Sequence, residues 1–332
     1  MPQRTDPART DPARTPPAHE VLAVVVRSGV VESVHAGSAL ALAPGGGDVV
    51  RTGDPDATVL PRSALKPLQA VGLLRAGLPL DGELLALAAA SHNGERFHTD
   101  GARRVLAQAG LGVEALGNTP DLPLDAVERA AWERAGRAPS SLAQNCSGKH
   151  AAMLLTCAVN GWPLDGYRHP DHPLQAHLAA TVGDLAGEPV RVTAVDGCGA
   201  PAFGLSLRGL ARAFARLATA PAGEPEGRVA AAVRTHPAWV GGTGHAVTGL
   251  LRACPGLIAK DGAEGVFAAA LPDGGAVAVK IADGSSRALL PVVIALLARL
   301  GAAGPALDAL ADVPVLGHGE RVGAVEVAGL GT

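Results

Sequence analysis

Apolar and polar positions first fall into short β-like runs, Val21–Arg27 and Val30–Val34, on either side of Ser28-Gly29, and this arrangement predicts a hairpin. Two further β-like stretches run to Val50. The spacing then becomes helical, from Lys66 to about Ala76, over Glu83–Ala90, His98–Gly110 and Leu124–Gly136, and along the apolar run after Ser147. Pro173–Ala186, Leu205–Ala220, Glu226–Arg234 and Ala246–Ala253 continue the helical pattern, and Ser285–Leu300 is a long apolar helix with Pro291 marking a late start or a kink. Strands are predicted at Val190–Val195, Leu257–Lys260 and Val322–Val327. Val266–Leu271 and Gly275–Ile281 flank Pro272-Asp273-Gly274 as a second hairpin, with Lys280 on its solvated face. Strands at both ends with helices between predict one α/β (α+β) domain over 20–332, its termini meeting in a central antiparallel sheet. Residues 1–19 repeat Thr-Asp-Pro-Ala-Arg and read as a disordered tail.

Composition narrows the class. The 332 residues suffice for an ample core, and 48% hydrophobic with 18% charged residues fits a soluble globular protein. A net charge of −3 without a Lys/Arg cluster argues against nucleic acid as a partner. The longest apolar run, Ala288–Ala298, is too short to cross a bilayer. Four Cys and no apolar leader point to the cytoplasm, with reduced thiols or a metal rather than disulfides. Of 28 Lys+Arg only Lys66, Lys149, Lys260 and Lys280 are lysine, so Arg serves wherever a surface cation suffices. A site needing an amine that can lose its proton cannot use a guanidinium.

Three segments carry candidate chemistry. Ser63-x-x-Lys66 at a helix start puts a hydroxyl and an amine on one face a turn apart, where a neutral lysine can take the serine proton. Asn145-Cys146-Ser147-Gly148-Lys149-His150 sets a thiol, an amine and an imidazole at a helix N-terminus, whose dipole favours a thiolate; Ser147 is a good residue to cap or open the first turn. An ordinary capped helix with a solvated lysine would leave the same pattern. Asp196-Gly197-Cys198-Gly199 places a carboxylate and a thiol between glycines at a strand end, suited to an active-site group or to a simple turn. Ser91-His92-Asn93 leaves a buried helix as a polar loop, able to touch a substrate or only to end the helix. His169, Asp171 and His172 could ligate a metal, but the neighbouring prolines favour a rigid connector.

Taken in order, Arg62-Ser63-x-x-Lys66, Ser91-His92-Asn93, Cys146-Ser147-Gly148-Lys149-His150, Gly166-x-x-x-Pro170-x-x-Pro173 and Asp196-Gly197-Cys198 resemble the class 3 (rhizobial-type) L-asparaginase family, from about residue 21 onward. The resemblance implies a fold similar to serine β-lactamases and serine glutaminases, with a central antiparallel sheet flanked by helices and a helical subdomain. It also implies a homodimer and hydrolysis of L-asparagine to L-aspartate and ammonia. Under it Ser63 and Lys66 are the nucleophile and its base, and Ser91 is a second serine bridging toward Lys149. Cys146, Lys149 and Cys198 form a zinc site, Asp196 is the adjacent acid, and Arg62, His92 and Asn93 contact substrate. The chain departs from the family pattern at Val247, where a cysteine is usual, at Gly199 in place of Asn, and at Asn93 in place of Ser. Two other readings stay open. Ser63-x-x-Lys66, Ser91-x-Asn93 and Lys260-Asp261-Gly262 imitate the three motifs of penicillin-recognising hydrolases, with Asp261 out of pattern. A non-enzymatic zinc- or amino-acid-binding protein using Cys146 and Cys198 is the third.

Overall fold

The computed structural model describes residues 17–331, so most of the expected tail, 1–16, lies outside them. Pro17–His19 run beside the sheet, with His19 Nδ1 3.2 Å from Ser38 Oγ. The strands are β1 (Glu20–Arg27), β2 (Val30–Leu42), β3 (Asp48–Thr52), β4 (Thr58–Val59), β5 (Val192–Val195), β6 (Pro201–Ser206), β7 (Ile258–Gly262), β8 (Val266–Ala270), β9 (Ala276–Ile281), β10 (Pro314–Gly317) and β11 (Glu320–Val327). The helices are α1 (Lys66–Arg75), α2 (Gly82–Ala88), α3 (Arg96–Gln108), α4 (Ala126–Arg134), α5 (Ser147–Asn160), α6 (Pro173–Ala186), α7 (Leu207–Thr219), α8 (Pro225–Thr235), α9 (Pro237–Val240), α10 (Ala246–Ala253), α11 (Leu289–Arg299) and α12 (Pro305–Ala311).

The main sheet is antiparallel in the order β10-β11-β1-β2-β9-β8-β7, with β3 also on β2. The chain ends meet where β1 pairs with β11, as the strand pattern predicted. Ser28 (φ 49°) and Gly29 (φ 79°) both take positive φ, the mirror-image turn that matches strand twist in a two-residue hairpin. Helices α7 and α11 both pack on β2, β8 and β9. Those strands are buried residue after residue in β8 and the second half of β2, so the sheet is covered on both faces there. Helices α1, α2, α3, α5, α6 and α8 pack on one another beside it as a helical layer. This is the expected α+β architecture.

Two readings are corrected. The helix predicted from Leu205 begins at Leu207, because Pro201–Ser206 is a fully buried strand pairing with β5 and β4 in a small second sheet. A six-residue buried strand has no solvated face and so no alternating signal. Lys280 is not solvated: it is half-buried, and its amine donates to Ile281 O at 2.8 Å and to Glu264 O.

Candidate active site

The site begins at a one-turn 3-10 helix, Arg62–Leu65, that runs into α1. Arg62 is held at φ 53°, a left-handed conformation that L-residues adopt at a cost. It immediately precedes Ser63, which is half-buried, and Lys66 opens α1 at 1% exposure. Lys66 Nζ donates to Ser91 Oγ at 2.9 Å and to Cys146 Sγ at 3.1 Å. Strand β7 fixes this turn from the side. A Cβ on Gly262 would stand 2.1 Å from Pro61 O and 3.2 Å from Ala64 N, so only glycine admits the approach.

Ser91 is delivered by the extended segment that leaves α2. Its N–H donates to Val240 O (3.0 Å), that of His92 to Asn145 O (3.1 Å) and that of Asn93 to Gly241 O (2.7 Å). Helix α5 docks its N-terminus on α2 through Gly148, where a Cβ would meet Leu87 O at 2.6 Å. The glycine of the Cys-Ser-Gly-Lys-His run is therefore what lets the start of α5, with Cys146, approach the end of α2. Cys146 occupies the N-cap position, and Ser147 opens the helix without capping it: its hydroxyl pairs with His92 Nε2 at 2.9 Å.

Cys198 sits in the turn between β5 and β6, which Gly199 N closes on Asp196 O at 2.8 Å. Gly199 (φ 81°) also leaves room for Arg168, whose Nη1 would lie 2.2 Å from a Cβ there. Lys149 Nζ reaches Cys198 Sγ at 3.4 Å. A hydrogen bond from the Cys198 thiol, with the charges of Lys66 and Lys149, holds Cys146 well below the ordinary thiol range. The same bond, with burial, pushes Cys198 up. Burial works against the charged form of Lys149, but Cys198, Cys146 and Asp196 outweigh it and raise its pKa.

Arg62 Nε and Nη2 both lie 2.7 Å from Asp196 Oδ1. Burial resists ionisation of Asp196, and Lys149 and Arg62 overcome it, lowering its pKa. His92 is fully buried, with Nδ1 accepting from Gly94 N (3.1 Å) and Nε2 on Ser147. Both nitrogens are engaged inside the protein, so the expected substrate contact becomes a positioning role behind Cys146. Asn93 packs on Gly242, where a Cβ would meet its Nδ2 at 2.5 Å. Ser91 does not bridge toward Lys149; its hydrogen-bond partner is Lys66. His172 caps α6 through Nδ1 and bonds Pro163 O through Nε2, a structural role, while His169 and Asp171 are exposed. Val247 is a core residue at 0% exposure.

Lys260 entered the sequence reading only through the motifs of penicillin-recognising hydrolases, without a place in the asparaginase-like site. It is fully buried on β7, its amine on Asp261, and burial, against the pull of Asp261 and with the charge of Lys66, lowers its pKa. Its signals were the rarity of lysine and the Lys260-Asp261-Gly262 run. Three buried lysines thus converge, from α1, α5 and β7, around Cys146, with Arg62 at the edge. Such a cluster stabilises negative charge, whether on a ligand carboxylate or on a developing oxyanion.

A family model described as L-asparaginase II matches residues 23–327, nearly the whole described chain. The chain belongs to the L-asparaginase II family. No curated protein matches this L-asparaginase II family member. Among solved structures it is similar to the protein of "Crystal Structure Analysis of Mglu", at 17% identity and TM-score 0.44, covering 80% of this chain and 67% of that one. The native form of Mglu is matched over 62% of its length. A beta-lactamase (Mb2281c) from Mycobacterium bovis is 15% identical with TM-score 0.41, covering 75% and 88% of the two chains. EstCE1, a hydrolase with promiscuous acyltransferase activity, is 14% identical with TM-score 0.39, covering 85% and 93%.

Proposed function

We propose that this L-asparaginase II family member hydrolyses the side-chain amide of L-asparagine through an acyl-enzyme on Ser63. The observation that carries the reading is the buried Lys66 amine, one turn from Ser63 and bonded to Ser91 Oγ at 2.9 Å and Cys146 Sγ at 3.1 Å. Lys66 takes the Ser63 proton as the hydroxyl oxygen attacks the amide carbon, and the lysine proton then goes to the departing nitrogen, releasing ammonia. Water, deprotonated by the same amine, attacks the ester and frees L-aspartate and Ser63. Ser91 holds the amine between its two serines, and Arg62 meets the substrate α-carboxylate.

The 2.9 Å bond from Lys66 goes to Ser91, which favours a second reading in which Ser91 is the nucleophile and Ser63 its neighbour. Ammonia release from L-asparagine by wild type, Ser63→Ala and Ser91→Ala separates the two. The first reading expects loss to background in Ser63→Ala and a partial loss in Ser91→Ala. Background rates in Ser91→Ala with near-normal release in Ser63→Ala would establish the second.

Zinc suits one group here. No three His, Cys, Asp or Glu side chains converge for a metal among the described residues, and a zinc would be held by Cys146, Cys198 and the Lys149 amine. Cys146 and Cys198 are both buried, and Lys149 Nζ lies 3.4 Å from Cys198 Sγ. A zinc binding there would displace the protons of Cys198 and Lys149, and two thiolates and an amine, with the fourth position open, would match tetrahedral coordination. Bound there, the cation would supply a Lewis acid for an oxygen of the ligand. We also propose a cytoplasmic homodimer; no helix among the described residues is long and apolar enough to cross a membrane.

A further inference from the structure

The loop between α5 and α6 carries a cation that the reacting cluster does not use. Arg168 lines a cavity of about 620 Å³ together with Leu164, Asp165, Val195 and Gly199. Neither Ser63 nor any of Lys66, Cys146, Lys149 and Cys198 borders it. That volume falls within the range of small-ligand sites.

The backbone presents this guanidinium in a fixed place. Tyr167, the residue before it, is buried; its hydroxyl accepts from Gly117 N at 3.0 Å and lies 2.7 Å from His150 Nδ1. The Tyr167 carbonyl accepts from Gln175 Nε2 at 2.8 Å, and His169 N closes the loop on Gly166 O at 2.7 Å. The guanidinium then passes between two glycines. A Cβ on Gly117 would stand 2.9 Å from its Nε, and one on Gly199 would stand 2.2 Å from its Nη1. Arg168 is half-buried, yet among the described residues its side chain has neither a hydrogen-bond acceptor nor an ion-pair partner. Asp165 stands on the same cavity wall and does not pair with it. A partly desolvated guanidinium held this way is a fixed fork of donors, matched to a carboxylate.

The rest of the wall decides what carries that carboxylate. Leu164 and Val195 are exposed apolar side chains, Val195 at 80%, and Pro170 lines the same cavity. An inorganic ion would leave this apolar surface in water, whereas a short hydrocarbon chain covers it. Asp165 is exposed, so solvent screens its repulsion of an anion more than it screens the attraction of the half-buried Arg168. We propose that this cavity binds a small organic anion, its carboxylate on Arg168 and its apolar body against Leu164 and Val195. The assignment does not depend on the amidohydrolase reading.

Calorimetric titration of hexanoate, acetate and inorganic phosphate into wild type, Arg168→Gln, Asp165→Asn and Arg62→Gln tests it. Wild type is expected to bind hexanoate at least about ten-fold more tightly than acetate or phosphate, from the further methylenes it buries. Arg168→Gln should weaken hexanoate binding at least about ten-fold, through loss of a charge-assisted pair. Arg62→Gln should leave that binding unchanged, and Asp165→Asn should tighten it. Absence of hexanoate binding, phosphate binding as tight as hexanoate, or full binding in Arg168→Gln each overturn the assignment. Loss of binding in Arg62→Gln also overturns it, by placing the anion on the reacting cluster. The melting temperature of Arg168→Gln checks its fold. If that variant does not fold, Asp165→Asn decides: unchanged or weaker hexanoate binding there overturns the proposal.

Discussion

At the scale of single residues, the choice of lysine over arginine carries the most chemistry. With 24 arginines elsewhere, three of the four lysines lie buried around Cys146. Arginine keeps the charge but cannot accept a proton near neutrality. Lys66→Arg is therefore expected to lower ammonia release by at least about 100-fold, the usual weight of a general base, with little change in melting temperature. Lys149→Arg should lose activity to a similar degree and also lose zinc, measured as metal per chain by elemental analysis, whereas Lys66→Arg keeps its metal. Equal rates and equal zinc in both variants would remove the distinction between base and ligand. The residues of this cluster were readable as candidates because chemistry restricts their types. Their partners were not: Ser91 was expected to face Lys149, and it is Lys66 that bonds it. Which of two lysines reaches a hydroxyl depends on how α1 and α5 cross, and no local spacing encodes that.

At the scale of elements, the site is a meeting of four backbone segments made possible by small residues. Gly262 admits β7 to the Ser63 turn, and Gly148 admits α5 to the end of α2. Gly262→Ala would drive a Cβ to 2.1 Å from Pro61 O, and relief by a shifted turn is expected to cost about 1–3 kcal/mol of stability. The same shift should lower kcat at least ten-fold, since the turn carries Ser63; thermal unfolding and ammonia release measure the two effects. Most elements were legible. Pro173–Ala186 matches α6 at both ends, because Pro173 opens the helix and Gly187, at φ 67°, closes it. The β8–β9 hairpin was equally plain from Pro272-Asp273-Gly274. Strand β6 was not, since its Ala-Phe-Gly-Leu run is buried on both faces and merges with the helix after it. Missing β6 concealed that Asp196-Gly197-Cys198 is a hairpin turn, which is what aims Cys198 at Lys149.

For the whole molecule, the buried imidazoles behind the site set an acid limit on stability. His92 and His98 stack with centroids 4.8 Å apart, and both are fully buried. Burial pushes His98 down to about 4 and His92 well below its ordinary value. The unfolded chain binds protons at these residues from about pH 6.5 downward, and the folded chain does not until lower pH, so stability falls as pH falls across that window. His98 alone contributes up to about 3 kcal/mol of this loss between pH 6.5 and 4, taking 1.36 kcal/mol per unit. Its ring donates through Nε2 to Ala238 O at 3.0 Å, a bond an amide can replace. His98→Gln should therefore flatten the fall in denaturant-measured stability between pH 6.5 and 4; an unchanged slope would mean that other groups set it.

The central claim is that Ser63 carries the acyl group. Wild type mixed with L-asparagine, quenched in acid during turnover and analysed as intact chain and peptides by mass spectrometry, tests it most directly. The account expects one aspartyl adduct per chain on the peptide containing Ser63, absent from Ser63→Ala. An adduct on the peptide containing Ser91, with none on that containing Ser63, would contradict it.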